Sequence, residues 1–64
     1  LDEHEKKVVK AVKEQDGITQ ATLRIRVDMS KAKLSSVLSD LERKDLIRKV
    51  PDKKTNKIYL KNAL

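Results

Sequence analysis

Leu34, Val37, Leu38 and Leu41 recur at the i, i+3, i+4, i+7 spacing of a single helix face. A strand would send alternate side chains to opposite faces, which this spacing does not follow. Residues 31–44 are therefore read as a helix with one apolar stripe. A chain that contains such a stripe needs a second layer to cover it, and only 64 residues are available to build that layer. A domain of this size buries about 60% of its unfolded surface, near the lower limit of independent folding. Cysteine is absent and His4 is the sole histidine. No disulfide can supplement the core, a thiolate metal site is excluded, and little is left for acid–base chemistry. No paired carboxylates, nucleophile–base set or glycine-rich phosphate loop is present. The expectation is a protein with no enzymatic activity, no cofactor and no bound metal.

The other elements follow from shorter signals. Val8, Val9 and Val12, with Leu1 and Ala11 at the edges, make the stripe of a first helix over residues 3–15. Asp2, Glu3 and Glu5 lie early in it, which suits the helix dipole, and Asp16-Gly17 ends it. Ile18 reads as extended. Thr19 is a good N-cap for a second helix over residues 20–27, with Leu23 and Val27 inward and Ala21 small enough to sit beneath a neighbour. Residues 27–29 form a tight turn, and Ser30 caps the third helix. Asp45 ends that helix, since Asp tolerates the left-handed conformation. Residues 46–50 are read as a strand with Pro51 at its end or edge. Residues 52–56 form a basic tip, and 57–60 a second strand with Ile58 and Leu60 on one face. There is no repeat, low-complexity tract or linker, so residues 1–64 are read as one domain. Two helices joined by a three-residue turn are a helix-turn-helix signature, and the hairpin over residues 46–60 is its wing. The fold class is α+β, mainly helical: three helices plus a two- to three-stranded β-wing.

Charge adds a direction. The net charge is +6 and is unevenly placed. Residues 1–17 carry four basic and five acidic groups, whereas residues 47–64 carry six basic and one acidic. A C-terminal third this basic points to a polyanion, usually nucleic acid. No apolar run approaches the ~20 residues of a membrane span.

The segments "GITQATL", "MSKAKLSSVLSDLERKDLIRKV" and "TNKIYL" together resemble the winged helix-turn-helix domains of MarR-like and ArsR-like transcription regulators. The nearest flavour is the archaeal type, in which such a domain is one part of a larger, often membrane-anchored regulator. The resemblance covers about residues 5–60. It implies a DNA-binding, transcription-regulating domain with its third helix in the major groove of double-stranded DNA. Lys31, Ala32, Lys33, Ser35, Ser36 and Ser39 would then face the groove, and Arg43 would reach a phosphate. Lys53, Lys54, Asn56 and Lys57 would be the wing contacts. Thr19, Gln20 and Thr22 would meet a backbone phosphate at the start of the second helix. Asp45 stands where the family usually has glycine, and the wing carries lysines where the family often has arginine. The expected partners are duplex DNA and a second copy or partner domain. The expected location is the cytoplasm, with room for a membrane tether outside this chain and no insertion by this segment. The chain starts with Leu1 rather than Met, which reads as a trimmed domain of a longer protein or a processed product.

The physics of the third helix agrees with a groove. Ala32, Ser35, Ser36 and Ser39 are short and avoid the apolar stripe, so they would not clash with base edges. Serine hydroxyls discriminate bases weakly, so most affinity should come from phosphates and depend on salt. Arg24 and Arg26, next to Asp28, are equally well read as phosphate contacts or solvated ion-pair residues. Glu42 is expected to orient Arg43 or pair with a lysine. Tyr59, the only aromatic residue, is expected to pack across the wing or against the first helix. With no other ring, a single-strand stacking platform is disfavoured. Two alternatives stand: a protein-interaction module marked by an exposed apolar patch near Val8 and Val9, and, last, contact with an anionic membrane.

Overall fold

A computed structural model describes residues 2–61. Leu1, expected at the edge of the first stripe, and residues 62–64 lie outside them. Helix α1 (Glu3–Glu14) begins with a capping box. The Asp2 carboxylate accepts from the Glu5 backbone N–H at 2.8 Å, and Glu5 Oε1 accepts from the Asp2 N–H at 3.1 Å. Each side chain thereby satisfies a donor at the helix start that has no partner within the helix. The helix ends at Gln15, and Gly17 turns the chain at φ 85°.

Strand β1 (Ile18–Thr19) leads into α2 (Gln20–Val27), where Thr19 Oγ1 accepts from the Thr22 backbone N–H at 3.2 Å. Asp28, at φ 54°, closes α2 in the left-handed conformation. Ser30 then caps α3 (Lys31–Arg43) by accepting from the Lys33 N–H at 3.1 Å. Asp45 adopts φ 64° after that helix. Lys61 pairs with its carboxylate, so the charge placed there is neutralised.

Strands β2 (Ile47–Asp52) and β3 (Thr55–Leu60) form the wing. The three strands lie in the order β1-β3-β2, all antiparallel, with Ile18 opposite Ile58 and Val50 opposite Lys57. The hairpin is longer and its turn tighter than expected. Pro51 lies inside β2, opposite Asn56, and only Lys53 and Lys54 form the turn. β2 is an edge strand, so the N–H that proline lacks need not be missed. Arg48 stands exposed on β2, so the wing is not purely a lysine surface.

The helices cover one face of this sheet. Val8, Val12, Leu23, Leu34, Leu38, Leu41, Ile18 and Ile58 are fully buried in one core. Val9 is half-buried and packs against that core, so α1 does not offer the exposed Val8–Val9 patch that an interaction module would need. Tyr59 stands over Gly17, where an added Cβ would lie 3.1 Å from the ring.

Candidate nucleic-acid interface

Gln20, Ser35 and Asn56 bring α2, α3 and the wing together. Gln20 Nε2 donates to Ser35 Oγ at 3.4 Å, and its Oε1 accepts from Asn56 Nδ2 at 3.3 Å. These residues line a groove of about 600 Å³ between the helices and the hairpin. Arg24, Lys31, Lys49 and Lys54 also line it, and no carboxylate does. Cations from four different elements or turns thus converge on one concave surface, which concentrates positive potential there.

The expected contact residues divide by position. Ala32, Ser36, Ser39 and Arg43 recur at helical spacing along the exposed crest of α3, away from its buried stripe. Lys31 and Ser35 line the groove, whereas Lys33 does not. One hundred degrees per residue turns Lys33 to the flank of α3 opposite Lys31. The Glu5 backbone N–H holds the Asp2 carboxyl below its ordinary value, and the charges of His4 and Lys33 add to this. On the wing, Lys54 and Asn56 line the groove, and Lys53 is exposed at the turn. Thr19 gives its hydroxyl proton to Thr22 Oγ1 at 2.9 Å while capping α2, so of the two hydroxyls only Thr22 keeps a proton to donate outward.

Ion pairs thin out the expected cations. Arg43 pairs with Asp40 at 3.1 Å and Lys57 with Asp52 at 3.4 Å. Glu42 pairs with Lys49 at 3.4 Å and does not hold Arg43. Among the described residues, Arg24, Lys31, Lys33, Lys53 and Lys54 have no carboxylate within ion-pairing distance. Sequence reasoning left Arg24 undecided and did not single out Lys49 or Ile25. Ile25, on the outward side of α2, is 75% exposed and is the exposed large apolar residue among those described. Its opposition to Leu23 and Val27 was legible in the helical spacing.

Among the described residues no group of three His, Asp or Glu side chains could hold a metal ion. No helix among them is long and apolar enough to cross a membrane.

Comparison with known proteins gives the class. A family described as a domain of unknown function (DUF7343) matches residues 1–61, and the chain belongs to it. No curated protein matches it. Among solved structures, the PcaV transcriptional regulator from Streptomyces coelicolor, in complex with its natural ligand, superposes at a TM-score of 0.90 with 25% identity. That match covers 94% of this chain and 45% of PcaV. MepR, a transcription regulator of the Staphylococcus aureus multidrug efflux pump MepA, superposes at 0.83 with 25% identity, over 94% of this chain and 47% of its own. The transcriptional regulator PA4135, at 22% identity and a TM-score of 0.85 over 94% and 46%, shares the fold. These neighbours are MarR-family winged-helix transcription regulators, and the winged-helix fold read from the sequence is the fold found. The chain spans less than half the length of these regulators.

Proposed function

We propose that this chain is the double-stranded DNA-binding domain of a transcription regulator, with α3 in the major groove and the wing along the backbone. The observation that carries it is the groove lined by Arg24, Lys31, Lys49 and Lys54 without a carboxylate, directly beside the short-residue crest of α3. A helix with that crest enters a major groove without steric conflict, and the cations meet phosphates. The likeness to PcaV and MepR supports the same reading. Ala32, Ser35, Ser36 and Ser39 face the bases, and Lys31, at the start of α3, meets the backbone with the other groove cations. Thr22, Arg24, Lys53 and Lys54 take phosphates, and Arg43 and Lys57 do so by exchanging their aspartate partners. With no Arg, Asn or Gln on the crest before Arg43, base discrimination is modest, and selectivity comes from pairing two half-sites through a second copy or partner domain. Titration of short duplex DNA at low and moderate salt, followed by amide shifts, tests this. Shifts centred on α3 and the wing that weaken steeply with salt support it, and an unresponsive spectrum at low salt removes it.

A second reading, a winged helix that binds another protein, rests on Ile25. Fold does not fix function, and a dependence of binding on Ile25 rather than on the groove would favour it.

A further inference from the structure

Gln20 opens α2 where three elements meet, and both ends of its amide are in use. Its donor end reaches α3 at Ser35 and its acceptor end reaches the wing at Asn56. The wing needs such a tie. Within the hairpin only Ile47 and Ile58 are buried. β1 supports β3 at Lys57 and Ile58, and its pairing goes no further toward the tip. The outer half, residues 51–56, is exposed or half-buried and ends in a two-residue turn. A two-stranded hairpin without apolar anchorage is marginal in water. The hydrogen bond from Asn56 to Gln20 is the side-chain hydrogen bond that joins this outer half to the helices among the described residues.

We infer that Gln20 is a positioning residue that fixes the outer wing against α3. It holds the groove at a width where Arg24 and Lys31 on one rim and Lys54 on the other face a single stretch of phosphodiester backbone. The DNA part of this rests on the proposed function; the tie between wing and helix does not. A neutral amide suits the role. It satisfies a hydroxyl and a second amide at once, and it leaves the positive charge of the groove intact, which a carboxylate would reduce. Both bonds are long and neither is fully buried, so they add little to global stability. Their effect is on where the wing sits.

The test compares Gln20→Ala, Asn56→Ala and the double variant of the full chain. Three readouts are needed: thermal unfolding, amide shifts and relaxation of residues 53–57 in the free protein, and titration with short duplex DNA at two salt concentrations. Gln20→Ala is expected to keep the wild-type melting temperature, to shift the wing amides and increase their motion, and to weaken DNA binding roughly three- to tenfold at an unchanged salt slope. The double variant is expected to bind no more weakly than the poorer single one, because both substitutions break the same tie. Unchanged wing amides in Gln20→Ala overturn the inference, as do effects of the two substitutions that simply add. If the wild-type chain ignores duplex DNA at low salt, the DNA reading falls, and the free-protein measurements still decide the tie.

Discussion

Lys44 Nζ lies 2.8 and 3.0 Å from the two carboxylate oxygens of Glu5, a residue 39 positions earlier in the chain. Glu5 is only 4% exposed, and its Oε1 also accepts from the Asp2 N–H that starts α1. One carboxylate therefore completes the cap of α1 and clamps the end of α3 against it. Both contacts are charge-assisted, and removing the cation would leave a shielded carboxylate without its main partner. Lys44→Met is expected to lower the melting temperature clearly more than Arg43→Gln, which breaks only the exposed pair with Asp40. Thermal unfolding by circular dichroism compares the two, and equal losses would show that the clamp contributes no more than a surface pair.

The same contacts set a pH window. The Lys44 ammonium, then the Asp2 N–H, hold the Glu5 carboxyl below its ordinary value of 4.5. The Glu5 N–H holds Asp2 below 3.8. Lys44 is raised above 10.5 by its hydrogen bond to Glu5. Carboxyls depressed in the folded state stabilise above their unfolded values, and that stability is lost as pH falls through the folded ones. A raised lysine stabilises below its unfolded value and loses this as pH rises through the folded one. The denaturant midpoint should therefore be flat between roughly pH 5.5 and 9.5 and fall on either side. Other groups titrate too, so the check is the difference from Lys44→Met, in which both flanks should be shallower.

What the sequence made legible and what it hid differ in range. The stripe of α3, the caps Thr19 and Ser30, and the left-handed Gly17 and Asp45 were readable because cause and effect lie within a few residues. The Asp2–Glu5 capping box is equally local, an acidic pair three apart whose charges also suit the helix dipole. Lys33 and Lys31 share the expectation of facing a DNA groove, and a wheel centred on Leu34, Val37, Leu38 and Leu41 puts the two lysines on opposite flanks of α3. The clamp between Glu5 and Lys44 and the Gln20 bridge had no such signal. Their partners lie 39, 15 and 36 residues apart, and they meet only because of how α1 and the wing pack on α3. Pro51 is legible as a strand-end or edge residue and sits on the edge strand β2; what local sequence does not show is that β2 continues past it to Asp52.

Asp45 offers a backbone test. It holds φ 64°, where a non-glycine residue costs about 1–2 kcal/mol. Glycine would remove that cost and lose the exposed pair with Lys61, worth under about 1 kcal/mol. Asp45→Gly should therefore change stability by less than about 1 kcal/mol, in the stabilising direction, despite the greater entropy glycine gains on unfolding. Asp45→Val should destabilise by about 2 kcal/mol, since a β-branched residue is strained there. Urea denaturation of both variants checks the sign and the order.

Lys54 and Lys33 separate local from bulk charge. Each Lys→Glu change removes two units from the net +6. Lys54 lines the groove, and Lys33 is exposed outside its lining. If phosphates bind at the groove, Lys54→Glu should weaken duplex binding about tenfold or more and make the salt slope shallower by about 0.9. Lys33→Glu should leave the slope unchanged and weaken binding less. Fluorescence anisotropy across a salt series measures both, and equal losses would mean that only overall charge matters.

Ile25 tests the competing reading. Its side chain points away from the core and is 75% exposed, so Ile25→Ser should change folding stability by no more than about 0.5 kcal/mol. Arg24 and Arg26 flank it, and pressing this face against a second copy would bring like charges together. The α2 face should therefore not support self-association, and Ile25→Ser should leave both the sedimentation coefficient over a concentration series and the duplex affinity unchanged. A concentration-dependent increase in sedimentation that the serine variant abolishes would show that apolar contact at α2 outweighs this repulsion, and would move the balance toward a protein-binding winged helix.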